Sequence, residues 1–142
     1  MSKITGEREF LPVNIAVLTV SDSRTLQDDK SGLTLVERIE AAGHNVSVRD
    51  IVKDEVDLIV AKLKDWIADE TVDVVIATGG TGVTGRDITP EAFAKVYEKE
   101  IPGFGELFRM LSYQKIATST IQSRATAGVA GGTYLFALPG SP

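Results

Sequence analysis

An α/β fold in three layers, with helices on both faces of a mostly parallel sheet and a β-hairpin near the C terminus, is what this sequence predicts, on three observations. The runs Val13–Val20 and Val72–Thr78 are almost continuously apolar and rich in β-branched residues, the pattern of strands buried on both faces. Segments with apolar residues at helical spacing alternate with them, at the intervals of βαβ units. Late in the chain Gly131-Gly132 separates two short strand-like segments, the signature of a tight hairpin. A chain of 142 residues suits a single domain, 1–142, able to bury roughly two-thirds of its unfolded surface.

Each element has its own local reason. Residues 1–10 are polar and are expected to be frayed. After the first strand, Ser21–Lys30 is a polar loop long enough to suggest function. Ser31 is the expected N-cap of a helix with Leu35, Val36 and Ile39 on one face, ending at Gly43. Asn45–Val52 alternates as a strand. Asp54, with Asp57 three residues later, opens a helix that turns Ile59, Leu63, Trp66 and Ile67 inward. Thr89-Pro90 starts another, with proline at N1, where its missing N–H costs nothing. Pro102-Gly-Phe-Gly-Glu106 reads as a break, followed by a short amphipathic helix from Gly105 to Tyr113 through Leu107, Phe108 and Leu111. The small-residue region 117–132 contains a strand near Arg124–Val129, and Gly131-Gly132 turns it into Thr133–Leu138. No internal repeat, low-complexity tract or linker interrupts this order.

Composition narrows the chemistry. Net charge is −5 with no basic run, which argues against nucleic acid or an anionic membrane as partner. No apolar stretch reaches the ~20 residues of a membrane span and the first ten residues lack a signal peptide's apolar core, so the expected location is cytoplasmic. The absence of cysteine removes disulfides, thiolate zinc sites, iron–sulfur clusters and thiol nucleophiles. The one histidine, His44, follows a helix-ending glycine and reads as structural. Catalysis would therefore rest on carboxylates, backbone amides, hydroxyls and a hard metal ion.

The densest feature is the strand emptying into Thr78-Gly-Gly-Thr-Gly82, with Arg86, Asp87 and Glu91 close behind. A nearly bare backbone at the carboxyl end of a parallel strand lets N–H groups approach an anion, so a phosphorylated small molecule is expected here. Gly80-Thr-Gly82-Val-Thr-Gly85 also fits the dinucleotide pattern G-x-G-x-x-G. That fingerprint needs a helix opening within the glycines and an acid closing the next strand about 20 residues on. Here the helix start waits for Thr89-Pro90, and Glu106 falls in the Pro/Gly break, so a dinucleotide role is rejected. No lysine followed by Ser/Thr is present in the loop, which excludes a Walker-type loop. The other strand-end loops are Ser21–Lys30, Lys53–Glu55 and Pro139–Pro142.

With these motifs, the sequence from Val13 onward resembles the MoaB/Mog family of molybdenum-cofactor biosynthesis, most closely its MoaB branch. The matching pieces are Thr19–Arg24, Thr78–Gly82 with Arg86-Asp-Ile-Thr-Pro-Glu91, Pro102–Glu106 leading into Phe108–Ser112, Thr118–Arg124 and Leu138–Ser141. The resemblance implies a molybdopterin-binding-like α/β fold, a homo-oligomer (trimer or hexamer) and molybdopterin as ligand. It also implies adenylylation of molybdopterin by Mg-ATP, giving adenylyl-molybdopterin and pyrophosphate, with Asp54 and Asp87 as the catalytic carboxylates. Both are expected to converge on one Mg²⁺, which takes one or two carboxylates plus phosphate oxygens. Substrate contacts are expected at Ser21, Asp22, Ser23, Thr78, Gly79, Gly80, Thr81, Gly82, Glu106 and Ser141, with Lys53 and Arg86 offsetting negative charge.

Plainer readings stand beside these. Asp54 is also explained as an N-cap, Asp87 as a partner of Arg86 or a turn cap, Asp22 and Ser23 as an Asx-turn, and Glu106 as a helix entry. Arg109 suits a solvated or interface charge; Phe108, Met110 and Tyr113 suit core or subunit contact. A non-catalytic molybdopterin-binding or scaffold protein is the alternative function, and a generic nucleotide-binding module the third. Relatives usually continue past Pro-Gly-Ser into a further helix, whereas the sequence here ends at Pro142; either a tail follows, or a neighbouring subunit is expected to cover the apolar surface that the missing helix would leave open.

Overall fold

The chain runs outward from β1 (Asn14–Val20) in both directions, and that decides where the loops meet. A computed structural model describes residues 9–140. Its six strands lie in the order β2-β1-β3-β6-β5-β4, with β2 (Asn45–Val52), β1, β3 (Val74–Thr78) and β6 (Thr133–Leu138) parallel. β5 (Thr126–Ala130) is antiparallel to β6 and to the two-residue β4 (Lys99–Glu100). The predicted α/β class, the mostly parallel sheet and the Gly131-Gly132 hairpin are all present.

Alternation of side chains assigns the two faces. Ile15 and Val17 of β1 pack with Ile39 of α1 (Lys30–Ala41) on one face. Ala16, Leu18 and Val20 meet Ile59, Leu63 and Trp66 of α2 (Val56–Ala68) and Phe93 of α3 (Thr89–Ala94) on the other. Phe136 stands level with Ile76 on the α1 side, and Phe104 of α4 (Pro102–Ile116) packs edge-on against it at 5.1 Å. α1 and α4 thus cover one face, and α2 and α3 the other.

Several boundaries differ from the sequence reading. α1 is capped by Asp29, whose carboxylate accepts from the Gly32 amide at 3.0 Å; Ser31 lies inside the helix and its hydroxyl donates to the Gly140 carbonyl. Asp29 is almost fully buried, with the Thr19 hydroxyl donating to it and Arg49 paired at 3.3 Å. Burial opposes its ionisation, but those hydrogen bonds and the Arg49 charge outweigh it and hold the carboxyl below its ordinary range. This network ties the end of the 21–29 loop to β1 and β2.

The predicted break at Pro102–Glu106 is instead the first turn of α4, with Pro102 at a position that tolerates it. β4 and the 3-10 segment Ala117–Gln122 are too short to carry a readable period. His44 is structural, as expected: its Nδ1 accepts the Val13 N–H at 3.0 Å, and Phe10 lies against its ring.

Candidate functional site

Strand order reverses between β1 and β3, so their following loops part and leave a crevice above the carboxyl ends, where ligands of such sheets bind. Glycine is required at the floor of this crevice. Gly79 has φ +105°, and a Cβ there would stand 2.4 Å from the Val20 carbonyl oxygen.

The loop carbonyls all turn toward the protein. Gly79 O accepts from the Thr89 hydroxyl (2.8 Å), Gly80 O from the Thr89 amide (3.1 Å), Thr81 O from the Arg124 amide (2.8 Å) and Gly82 O from Arg124 Nε (2.7 Å). Among the hydrogen bonds of the described residues, none uses the N–H of Gly80 or Thr81. Carbonyls held inward and amides left without an acceptor make an anion cradle. The Gly79 amide is not part of it, because it continues the sheet ladder to Leu138 O at 2.9 Å. The Thr78 hydroxyl, also expected at the substrate, is buried and donates to Pro139 O at 2.8 Å.

Three carboxylates gather around the cradle. Asp54 does not cap α2; Glu55 occupies the N-cap position and no side chain makes the capping bond. The Asp54 carboxylate instead faces Gly80, its Oδ1 3.3 Å from where a Cβ of that residue would stand. Burial and then the charge of Asp22 push the Asp54 carboxyl up; Arg86 offsets part of this and Asp87 adds to it.

Asp87 is the opposite case. Burial opposes its ionisation, but the Thr84 hydroxyl (2.7 Å) and amide (2.9 Å), the Gly82 amide and the Arg124 charge hold it below the ordinary range. Asp22 takes a fork of hydrogen bonds from Arg86 at 2.8–3.0 Å and accepts the Asp54 amide at 3.1 Å, which keeps it low as well. The local turn is made by Ser21, whose hydroxyl oxygen accepts the amides of Ser23 (3.3 Å) and Arg24 (3.2 Å), so Asp22 is free of that duty.

The remaining expected residues divide. Ser21 lines a cleft with Thr19, Ser31, Thr78, Gly79 and Gly140, while Ser23 is exposed. Glu106 is exposed on α4 and, among the described residues, shares no hydrogen bond or ion pair with the loop. Ser141 lies outside the described residues. Sequence reasoning passed over Arg124 and Thr89 as site residues; the hydroxyl beside a helix-starting proline was a visible signal for Thr89, but none marked Arg124 as a partner of a loop 42 residues away.

No group of three or more His, Asp or Glu side chains able to hold a metal ion assembles among the described residues. Asp54 and Asp87 are the two carboxylates that could hold such an ion together: Asp54 is raised first by burial and then by the charge of Asp22, with a smaller part from Asp87, and a divalent cation whose other ligands are phosphate oxygens would offset both. No helix of the described residues is long and apolar enough to cross a membrane.

The sequence and fold have close counterparts. The family described as "Probable molybdopterin binding domain" matches residues 16–142. The chain is 51% identical to molybdenum cofactor biosynthesis protein B of Escherichia coli (strain K12) over 141 residues, covering 99% of this chain and 82% of that protein. A crystal structure of a molybdenum cofactor biosynthesis protein B superposes with a TM-score of 0.91 at 44% identity, covering 94% of this chain and 84% of that one. The crystal structure of the tungsten cofactor synthesizing protein MoaB from Pyrococcus furiosus superposes with a TM-score of 0.81 at 37% identity, covering 92% and 83%.

Proposed function

This chain belongs to the MoaB/Mog family of molybdenum cofactor biosynthesis proteins, and on that premise we propose that it binds molybdopterin and adenylylates it with Mg-ATP. The observation that carries the reading is the cradle itself. Four consecutive carbonyls are tied down, two amides are left for an anion, and the Asp54 carboxylate, pushed up by burial and by Asp22, stands beside them.

The chemistry asks little of a base. The attacking group is the phosphate of the pterin, already ionised at neutral pH. One of its oxygens forms a bond to the α-phosphorus of ATP, the bond from that phosphorus to the α–β bridging oxygen breaks, and pyrophosphate leaves with the electron pair. Catalysis is then mainly orientation and charge stabilisation. The Gly80 and Thr81 amides orient a phosphate, and the Asp22–Arg86 pair fixes the Asp54 backbone. Mg²⁺ held by Asp54 and Asp87 would supply neutralisation of phosphate charge. That the one histidine sits in the turn between α1 and β2, bonded to the Val13 amide, is no obstacle, since no proton has to be removed.

The test is pyrophosphate release by the purified protein with molybdopterin and Mg-ATP. Release that requires molybdopterin is expected. Molybdopterin binding, seen by fluorescence, without pyrophosphate release would replace the transferase with a pterin-binding or scaffold protein.

The same reading includes self-association. Leu107, Met110 and Leu111 recur at i, i+3 and i+4 on α4 and are each more than half exposed, and Ile121 beside them is 79% exposed. A stripe of that kind on a helix otherwise docked to its sheet supports burial against another copy. Met110→Asp is expected to shift sedimentation toward the monomer mass while the circular dichroism stays that of a folded α/β protein. A wild type that already sediments as a monomer would remove this part of the reading.

A further inference from the structure

One guanidinium closes the glycine-rich loop. Arg124, just before β5, donates from Nε to Gly82 O at 2.7 Å and from a terminal nitrogen to Asp87 O at 2.6 Å, while its own amide donates to Thr81 O at 2.8 Å. Its outer edge pairs with Glu91 of α3, with one bond at 3.2 Å. Gly82 and Asp87 are the two ends of the turn that brings Thr84 onto the Asp87 carboxylate. Holding both ends requires donors in two directions from one plane, which the fork of arginine supplies and the single ammonium of lysine does not. The Glu91 pair is solvent-exposed and by itself contributes little; the carbonyl bonds carry the effect.

Arg124 is itself held. Arg109 of α4 donates to Ser123 O (3.1 Å) and Ala125 O (3.2 Å), the carbonyls on either side of it. The close approach this needs exists because Gly105 has no side chain: a Cβ there would stand 2.6 Å from the Arg109 guanidinium and 2.8 Å from Ala125 O. This gives Arg109, and a glycine of the 102–106 motif, a structural reason that neither capping nor solvation supplies.

We propose that Arg124 is a positioning residue of the site and Arg109 its brace, together fixing the loop so that the Gly80 and Thr81 amides and the Asp87 carboxylate face a phosphorylated ligand. Neither touches the reacting atoms. The proposal rests on the function above only in its ligand.

The test uses the full chain with Arg124→Ala, Arg124→Lys and Arg109→Met. Amide hydrogen exchange over residues 80–87 is expected to quicken at least tenfold in Arg124→Ala, with β1 and β3 changed less than twofold. Molybdopterin affinity, by fluorescence quenching, is expected to weaken at least tenfold, and millimolar guanidinium ion to restore at least a third of it where ammonium does not. Arg124→Lys is expected to stay nearer to alanine than to wild type, and Arg109→Met to show the same changes at about a third of their size.

Unchanged exchange over 80–87 would overturn the clamp. Faster exchange with unchanged affinity, or affinity that guanidinium fails to restore, would reduce Arg124 to a structural residue and overturn the positioning role. A wild type that binds molybdopterin but releases no pyrophosphate defeats the transferase reading alone, with exchange and affinity still deciding the clamp.

Discussion

Asp54→Ala is expected to lower molybdopterin-dependent pyrophosphate release at least a hundredfold and to leave the folded protein no less stable than wild type. A hundredfold loss corresponds to about 2.7 kcal/mol of transition-state stabilisation, the scale of one well-positioned charged group. The stability half of the expectation follows from sign. Burial, then Asp22, and in smaller measure Asp87, raise the Asp54 carboxyl above its ordinary value, so the folded state holds that proton more tightly than the unfolded chain does.

The ionised side chain therefore costs stability at neutral pH, and the cost disappears as pH falls below the folded value. Removing the carboxylate removes the cost. Asp54→Asn, which keeps the shape, is expected to lose activity equally and to melt at or slightly above the wild-type temperature at pH 7. The difference should vanish below about pH 4, near the unfolded aspartate value. If Asp54 were a helix cap, alanine would cost about 1 kcal/mol instead and activity would fall only with stability. Pyrophosphate release and thermal melting on the same samples separate the two. The acid limb of the activity profile is expected above the ordinary aspartate value, and Asp22→Asn should move it to lower pH by removing the larger of the two repelling charges.

Gly79→Ala is expected to destabilise the fold by about 3 kcal/mol or more, and to abolish ligand binding with it. Two costs coincide. A φ of +105° lies outside what alanine adopts without strain, and the new Cβ would meet the Val20 carbonyl oxygen at 2.4 Å. Neither backbone can yield. Thr78 is in register with Thr19 of β1 on one side and Leu138 of β6 on the other, and the Gly79 amide is bonded to Leu138 O.

Gly85→Ala is the control, since a Cβ there meets nothing within 4 Å; its expected change is within about 0.5 kcal/mol. Urea denaturation of the two variants measures both. Similar midpoints would mean that the loop tolerates a side chain at 79, and the account of the crevice floor would fail.

The local sequence already carried a good deal of this. β1, β3 and the hairpin announce themselves because burial on both faces of a central strand, or a glycine pair between short strands, writes a pattern into neighbouring residues. Asp87 and the glycines were recognisable for the same reason: five residues of nearly bare backbone with charges close behind are contiguous. α1 shows where such reading fails. Ser31 and Asp29 are both good caps by type, and the choice of Asp29 was made by Thr19 and Arg49, which lie on two different strands.

What the sequence by itself determined, then, is the alternation of strand and helix, the absence of any thiol, and a nearly bare glycine-rich loop at the carboxyl end of a buried strand. The tertiary structure alone decided which groups meet there. Asp22, Asp54 and Asp87 come from three separate loops, and Arg124 from the segment that leads into β5, on the other side of β6 from the loop's own strand. Periodic burial is a property of adjacent residues and survives in the order of letters. A donor meeting its acceptor depends on strand order and register, which are fixed only when distant segments pack.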